Sequence, residues 1–433
     1  MFNASIYLSR RTRLAAQLGD GIAIIATAPE ATRNRDSHYP YRFDSYFYHL
    51  TGFTEPEAVV VIIGGAVPQS LLFCRDKDET REIWDGFRYG AAAAQEKFAF
   101  DAAYSISDLD SKLPELMGNV GKLAYAVGFD PAWDARVLGW LNAVRGKARQ
   151  GIRAPQEIID VRAALDEMRL FKDKYEIATM QRSGAIASDA HRRAMRATRA
   201  GRFEYEIEAE ILHHFYANSA QAPAYTSIVA GGANACTLHY VENRASLRDG
   251  DLLLIDAGCE LDGYASDITR TFPVNGRFSP AQKEAYEIVL AAQAAAIEVV
   301  RPGSTWIEPH TAAVRVLTQG MVDLKLLSGN LEGLIESEAY SRFYMHRTGH
   351  WLGLDVHDAG EYKVDGAWRA LQPGMTLTVE PGLYIRPADD IPKALWNIGI
   401  RIEDDVLVTE GACEVLTNAP KTVSEIEDWM RGE

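Results

Sequence analysis

Two twelve-residue stretches, LRDGDLLLIDAG (Leu247–Gly258) and LQPGMTLTVEPG (Leu371–Gly382), share one pattern of turn, apolar strand, carboxylate and glycine. Five of the twelve positions match when Asp256 is paired with Glu380. Turn–strand–turn patterns also recur by chance in proteins rich in strands, but this number of matches favours an internal repeat. The repeat predicts two similar halves with a shared site at their pseudo-symmetry axis.

Each copy is followed by a second apolar segment that carries another acidic residue. Asp267 lies in SDITRTF after the first copy, and Glu403 lies in IRIEDDVLV after the second. Asp262-Gly263 is a hairpin signal that predicts the return of Asp267 toward Asp256. Before each copy the sequence predicts a strand that carries a histidine, His239 in the first half and His357 in the second.

Four carboxylates at the inner ends of apolar strands indicate a bound cation. Buried carboxylates that lie close together repel, so they must bind a proton or a metal ion. An oxygen-rich site suits hard divalent ions such as Mn²⁺, and a pair of such ions can make a water molecule nucleophilic near neutral pH. Taken singly, each residue also has a structural interpretation: Asp267 could pair with Arg270, Glu403 could pair with Arg401, and the others could cap turns.

The stretch MHRTGHWLGLDVHD (Met345–Asp358) holds three of the ten histidines. His346 and His350 have the spacing of a helical metal pair, but Arg347 stands where the HExxH motif has glutamate. His357 lies an odd number of residues after His350, so a bulge or turn near Gly353 is needed if both are to face one site.

Composition narrows the class of protein. The chain has 433 residues, is 47% hydrophobic and carries a net charge of −15, which allows two or three domains and disfavours nucleic acid or an anionic membrane as a partner. No apolar run is long enough to span a bilayer, and the N-terminus does not resemble a signal peptide. The four cysteines lie far apart, which is typical of reduced cytoplasmic thiols.

The fold class predicted is α/β (α+β), with two domains. Residues 1–170 alternate strands and helices: strands at Ala58–Ile63, Ser70–Cys74 and Lys122–Asp130, and helices near 7–18, 79–97 and 132–146. A long helical region is predicted from about 155 to 200, with the domain boundary inside its start. Residues 171–433 hold the repeat, and Ser279 to Gln282 form a capping box at the start of a helix.

The carboxylates and histidines resemble, as a set, the ligands of the pita-bread metallopeptidases, and most of all those of the aminopeptidase P (Xaa-Pro aminopeptidase) family. The resemblance covers most of the chain. It rests on RNRDSHYPYRFDSYFYHLTGFTEPEAVVVI (Arg33–Ile62) and EIWDGFRYG (Glu82–Gly90) in the first domain, and on NACTLHYVENRA, IDAGCELDGYASDITRTFPVNGRFS, HWLGLDVHD, TVEPGLYI and GIRIEDDV in the second. It implies a pita-bread domain with a pseudo-twofold repeat behind a non-catalytic domain.

The resemblance also implies residue roles. Asp256 would hold one divalent ion, His350 and Glu380 the other, and Asp267 and Glu403 would bridge them. His239, His346 and His357 would contact the substrate, Arg401 would hold the bridging glutamate, and Glu380 would carry a proton to the leaving nitrogen. Tyr225, Trp84 and Trp351 are predicted to shape the proline pocket. Substrates would be peptides with proline second, and the protein would be a homo-oligomer, a dimer or a tetramer.

Three other functions remain open from the sequence. A prolidase would cleave only Xaa-Pro dipeptides, a binding protein on the same fold would have lost catalysis, and a creatinase-like enzyme would work without metal. Retention of all five ligand types disfavours the last two. Relatives usually have a small, glycine-containing link between the first two histidines, and Arg347 departs from that pattern.

Overall fold

The computed structural model describes residues 3–432, and the chain divides into two compact units between Met168 and Arg169. None of the helices in the described residues is both long and apolar enough to cross a lipid bilayer. The assignment of residues 1–170 and 171–433 to a non-catalytic and a catalytic domain stays a prediction.

The first unit is built on one mixed sheet with helices on its faces. Its elements are α1 (Ala4–Leu18), β1 (Gly21–Ala26), β2 (Thr32–Asn34), β3 (Ser37–His38), α2 (Ser45–Thr51), β4 (Val59–Ile63), β5 (Gln69–Cys74), α3 (Glu79–Asp85), α4 (Gly90–Phe98), β6 (Ala102–Ser105), α5 (Leu109–Leu116), β7 (Lys122–Tyr125), α6 (Pro131–Arg145), β8 (Glu157–Asp160) and α7 (Arg162–Leu170), the last of which runs through the division. The strand order is β6-β5-β4-β1-β7-β8. Alternate residues of β1 and β4 enter two apolar clusters, one on each face of the sheet.

Three predictions for this unit are corrected. The helix predicted near 79–97 is two helices, because the chain leaves the helical conformation at Gly86, whose φ is 84°. The strand predicted from Lys122 to Asp130 ends at Tyr125, before a turn that leads to the capping residue of α6. The helical region predicted from about 155 begins instead with the edge strand β8.

The second unit is rich in short strands and is covered by helices. Its elements are α8 (Lys174–Ala197), α9 (Glu204–Ala217), β9 (Ala222–Pro223), β10 (Ile228–Gly231), β11 (Leu252–Asp256), β12 (Cys259–Leu261), β13 (Tyr264–Ala265), β14 (Thr269–Pro273), α10 (Pro280–Glu298), α11 (Glu308–Asp323), α12 (Leu331–Glu336), β15 (Lys363–Val364), β16 (Ala367–Trp368), β17 (Thr376–Val379), β18 (Gly382–Ile385), β19 (Ile398–Arg401), β20 (Asp404–Val408), β21 (Cys413–Val415) and α13 (Val423–Arg431). The capping box at Ser279 is present at the start of α10.

The sequence repeat corresponds to a structural one. β11 pairs antiparallel with β14, and β17 pairs antiparallel with β20. Asp256 ends β11, and Glu380 immediately follows β17. The predicted hairpin joins β12 to β13, where Asp262 and Gly263 both have positive φ, as a tight two-residue turn requires.

Two strand predictions in this unit are wrong. Neither His239 nor His357 lies in a strand: both belong to irregular segments beside the strands. In a strand, side chains alternate between the two faces, so the direction of each is fixed by the pairing of the strand. An irregular segment has no such constraint, and it can direct a polar side chain into a central cavity.

Candidate functional site

A cavity of about 660 Å³ opens in the second unit at the ends of the repeated strands. It is lined by all five residues predicted to bind metal, which are Asp256, Asp267, His350, Glu380 and Glu403. It is also lined by Tyr225, His239, His346, His357 and Arg401. Residues far apart in the sequence are therefore brought to one place.

The strand register explains why the carboxylates meet. Asp256 pairs with Thr269, so Asp267 lies just before the paired part of β14. In the second half Val379 pairs with Asp404, which places Glu380 and Glu403 next to that pair. The backbone N–H of Glu403 donates to the carbonyl of Thr269, and this bond joins the two halves at the site.

Asp267, His350 and Glu403 form a compact group whose ligand atoms all lie within 4.8 Å of one another. His350 Nε2 is 3.4 Å from Asp267 Oδ2 and 3.6 Å from Glu380 Oε1. His350 Nδ1 lies 2.9 Å from the carbonyl oxygen of Trp351 and donates to it. With Nδ1 bound in this way, Nε2 is the ring nitrogen that faces the carboxylates, which is the orientation of a metal-binding imidazole.

The electrostatics of the group favour a cation. Burial and the neighbouring carboxylates raise the pKa of Asp267, raise that of Glu403 well above its usual value, and raise the pKa of Glu380 to about 7. Burial alone would lower the pKa of His350, but its hydrogen bond to Asp267 and the charge of Glu380 raise it to about 9. Negative charge is therefore crowded at this point, and the donor set of four carboxylates and one imidazole fits hard divalent ions.

Tyr225 lies at the carboxylates themselves. Its hydroxyl is within hydrogen-bonding distance of Asp256 Oδ1 and Asp267 Oδ1. Burial and these charges raise the pKa of Tyr225 well above its usual value, so the hydroxyl keeps its proton and donates it. The predicted role in the proline pocket stays a prediction, and the position found is beside Asp256 and Asp267.

Arg401 contacts a different carboxylate from the one expected. Its guanidinium donates to Asp256 over 2.6 Å and to the hydroxyl of Thr269 over 3.0 Å. Thr269 in turn donates to Glu403 over 2.6 Å. Arg401 therefore holds Asp256 directly and Glu403 through Thr269, and its predicted role of holding the bridging glutamate stays a prediction.

The three other histidines predicted at the site, His239, His346 and His357, all border the cavity. His346 Nε2 is 2.9 Å from the hydroxyl of Tyr384, and burial lowers the pKa of His346 to about 3. The ring of His357 lies 4.0 Å from that of His350, centroid to centroid, and burial together with His350 lowers the pKa of His357 to about 4. Both imidazoles are neutral near pH 7. His239 is exposed at the rim.

A bend places His350 and His357 on the same side. Asp358 N–H donates to the carbonyl of Trp351, and Gly353 N–H donates to that of Asp355, so the segment turns back on itself. A Cβ at Gly353 would lie 2.2 Å from Asp358 Oδ2, which leaves room for no side chain. The turn predicted near Gly353 is confirmed.

The two tryptophans have different positions. Trp351 is fully buried against Trp306 and Tyr362, and it does not line the cavity. The ring of Trp351 therefore has no direct access to substrate. The prediction that it shapes the proline pocket is wrong, and it instead packs in the core next to His350. Trp84 belongs to the first unit, where 81% of it is exposed. Its predicted role stays a prediction.

Several functional neighbours were missed from the sequence. Glu204 accepts from Gly231 N–H, Asn234, Tyr240 and Ala245 N–H, and thereby organises the segment that carries His239. Asp405 accepts from Asp267 N–H, and Thr269 and Tyr384 link Arg401 to the site. Asp405 could have been found from the sequence, because it lies in the same acidic run as Glu403. Glu204 lies at the start of a helix, and no sequence pattern there indicates its role.

Comparisons with known proteins agree on one family. Residues 178–410 match the model of metallopeptidase family M24, and residues 7–125 match that of the aminopeptidase P N-terminal domain. A Xaa-Pro aminopeptidase of Escherichia coli K12 is 47% identical over 425 residues, which is 97% of this chain and 96% of the relative.

Solved structures give the same result. The aminopeptidase PepP of Pseudomonas aeruginosa superposes with a TM-score of 0.98 at 51% identity, over 100% of this chain and 98% of that one. A zinc-substituted E. coli aminopeptidase P in complex with product superposes with a TM-score of 0.97 at 46% identity, over 100% and 99% of the two chains. The expected pita-bread architecture behind an N-terminal α/β domain is confirmed by these matches.

Proposed function

The chain belongs to metallopeptidase family M24, among the Xaa-Pro aminopeptidases, and from this premise we propose that it removes the first residue of peptides with proline second by using a two-metal site. Membership of the family makes it a hydrolase. The observation that carries the finer proposal is the convergence of Asp256, Asp267, His350, Glu380 and Glu403 in one cavity.

The donor set supports two divalent ions, with Mn²⁺ the best match to four carboxylates and one imidazole. Asp256 would hold one ion, His350 and Glu380 would hold the other, and Asp267 and Glu403 would be shared by the two. Four carboxylates balance the four positive charges. When bound, such ions lower the pKa of a water molecule and stabilise the charge that develops on the carbonyl oxygen.

The residues around the ions keep the ligands in place. Arg401 and Tyr225 bind the outer oxygens of Asp256, and Thr269 donates to Glu403, so three ligand oxygens have fixed directions. Such supporting bonds orient the ligands and limit their motion. A carboxylate fixed in this way needs no reorganisation when charge develops during the reaction.

Proton transfer is assigned to Glu380. The bond before proline is a tertiary amide, and its nitrogen must gain a proton before it leaves. Glu380 lines the cavity beside the other carboxylates, so its carboxylate would take a proton from water and release it to the proline nitrogen. His357 is neutral, and its protonated ring nitrogen can donate to the developing oxyanion. The single N–H of neutral His346 is bound to the carbonyl oxygen of Arg347, so His346 helps to shape the cavity.

Substrate length tests the proposal against prolidase activity. Purified protein reloaded with Mn²⁺ is expected to cleave Ala-Pro-Ala and longer Xaa-Pro peptides and to release free alanine. Ala-Pro is the control that defines prolidase activity. Cleavage of Ala-Pro alone would replace the proposed function by that of a prolidase, and cleavage of neither would leave a binding protein.

Metal content tests the ligand assignment. Chelator-treated protein titrated with Mn²⁺ is expected to bind about two equivalents. Glu403→Gln is expected to reduce that number and to abolish hydrolysis, whereas Glu414→Gln, which alters an exposed carboxylate on β21, leaves both unchanged. Full hydrolysis by metal-free protein would indicate a creatinase-like reaction without metal and overturn the proposal.

We also propose a cytoplasmic location and a homo-oligomer, either a dimer or a tetramer. Four unpaired cysteines, three of them buried, agree with a reducing compartment. The oligomer is proposed from the family. Light scattering coupled to size-exclusion chromatography measures the mass directly, and a mass of 47.9 kDa would contradict the oligomer.

A further inference from the structure

Arg347, the residue that departs from the usual histidine loop, borders the cavity. It lies between His346 and Thr348 and is exposed. The cavity is lined by only two arginines within the described residues, and the other one, Arg401, is paired with Asp256. Arg347 is therefore the arginine of this cavity that no carboxylate neutralises.

The backbone around Arg347 is held firmly. His346 Nδ1 lies 2.7 Å from the Arg347 carbonyl oxygen. On the other side Thr348 is buried, its hydroxyl is 2.6 Å from that of Tyr344, and its carbonyl accepts from Glu380 N–H over 2.8 Å. The Cα atom of Arg347 is thus fixed relative to the metal ligands, while its side chain lies at the surface of the cavity.

The guanidinium of Arg347 makes no hydrogen bond or ion pair with any residue from 3 to 432, whereas the nearby Arg342 is paired with Asp390 through two bonds. His310 and Tyr340 are close enough to Arg347 for its charge to influence the pKa of each. Burial and the charge of Arg347 lower the pKa of His310 to about 4, so His310 is neutral near pH 7 and provides no counter-charge. An uncompensated guanidinium at a binding cavity indicates an anionic group on the ligand.

We propose that Arg347 binds the C-terminal carboxylate of short substrates and so favours Xaa-Pro-Yaa tripeptides. This inference rests on the proposed function. A peptide that places its amine at the carboxylate cluster extends away from it, and three extended residues span roughly 10 Å. The planar guanidinium matches a carboxylate with two parallel hydrogen bonds. In longer peptides that carboxylate lies beyond the reach of Arg347, and the advantage disappears.

The test compares Ala-Pro-Ala with its C-terminal amide in the Mn²⁺-loaded full chain. Wild-type protein is expected to have a kcat/KM roughly tenfold higher for the acid, since a charge-assisted hydrogen bond contributes about 1.5 kcal/mol or more. Arg347→Gln is expected to remove this preference by raising KM for the acid about tenfold, with kcat changed less than about twofold. Arg347→Lys keeps the positive charge but lacks the two parallel N–H donors of the guanidinium, and it is expected to retain part of the preference.

Arg342→Gln is the matched control, because Arg342 lies on the same segment, is exposed and does not border the cavity. It is expected to keep the wild-type preference. A series from Ala-Pro-Ala to Ala-Pro-Ala-Ala-Ala is expected to show an effect of Arg347→Gln that declines with length.

The outcomes separate the two hypotheses. Equal rates for acid and amide in wild-type protein, or an equal loss for both in Arg347→Gln, would overturn the role of Arg347 while leaving the peptidase intact. An effect of the variant that stays constant with peptide length would also overturn it. If wild-type protein cleaves no member of the series, the proposed function fails and this inference fails with it.

Discussion

Lys172 Nζ donates to Asp358 Oδ2 over 2.8 Å, and only 1% of either side chain is exposed. Arg169 binds the other oxygen of Asp358. Asp358 follows His357 directly, so this buried group of charges anchors the segment that brings His357 to the cavity. Asp358→Asn leaves the buried Lys172 without its anion and leaves Arg169 with Asp355 as its acidic partner, which is expected to cost about 3–5 kcal/mol of unfolding free energy. Denaturant titration measures it.

The pH dependence of stability checks the same interaction. Burial alone would raise the pKa of Asp358, but Lys172 and Arg169 lower it below its usual value. The stabilisation is therefore complete above the pKa of the unfolded chain, near 3.8, and is lost as the pH falls through the lower folded value. Asp390→Asn, which alters an exposed pair with Arg342, is the control and is expected to change little. A wild-type stability in Asp358→Asn would contradict the anchoring role.

The buried histidine His191 is expected to cause a second loss of unfolding free energy, in mild acid. It is completely buried, with Nε2 3.0 Å from the carbonyl oxygen of Ala257, and burial lowers its pKa from 6.5 to about 4. The unfolded chain binds a proton near pH 6.5 and the folded chain only near pH 4, so stability falls as the pH drops between these values. The full difference corresponds to about 3 kcal/mol.

Substitution by glutamine isolates this contribution. His191→Gln is expected to flatten the fall in unfolding free energy between pH 6.5 and pH 4.5, measured in chelator-treated protein by denaturant titration. His213→Gln alters an exposed histidine on α9 and is expected to keep the wild-type slope. The slope is the readout, so a general destabilisation by either substitution does not affect the result. An unchanged slope in His191→Gln would contradict the prediction.

The convergence of the four carboxylates could be predicted from the sequence because they lie beside strands with strong local patterns. Asp256 and Glu380 end apolar strands, and the repeat places them at equivalent positions, so register alone brings them together. The positions of Trp351 and Arg401 could not be derived in this way. Contacts between segments that are far apart in the chain decide which neighbour a buried ring packs against. They also decide which carboxylate a guanidinium reaches.

The role of Glu204 also could not be predicted from the sequence, and it provides a third prediction. Its carboxylate is fully buried, and each oxygen accepts two hydrogen bonds from the segment between Gly231 and Ala245. Glu204→Gln replaces one oxygen by an NH₂ group that faces two donors. The variant is expected to lose about 3 kcal/mol of stability, since bonds to a charged group contribute about 1.5–3 kcal/mol each.

Hydrogen exchange distinguishes a local effect from a general one. In Glu204→Gln the amides between Gly231 and Ala245 are expected to exchange faster than those of β11 or α8. KM is expected to rise, because His239 lies in this segment. Glu206→Gln, which alters the carboxylate that accepts from Phe203 N–H at the start of α9 and pairs with Arg202, is the control and leaves that segment protected. Uniformly faster exchange over the second unit would contradict a specific role for Glu204.

Gly258 gives the last prediction, since it shows why the repeat ends in glycine. A Cβ at Gly258 would lie 1.6 Å from the carbonyl oxygen of Ser266, next to Asp267, so the backbone that joins the two carboxylates allows no side chain. Gly258→Ala is expected to cost about 3 kcal/mol or more and to weaken Mn²⁺ binding, because it forces Asp256 and Asp267 apart. Gly139→Ala lies in α6 with open space around it and is expected to stabilise the chain by up to about 1 kcal/mol. Thermal unfolding with and without Mn²⁺ measures both effects, and a Gly258→Ala protein that keeps the wild-type shift on metal addition would show that the close approach does not position the ligands.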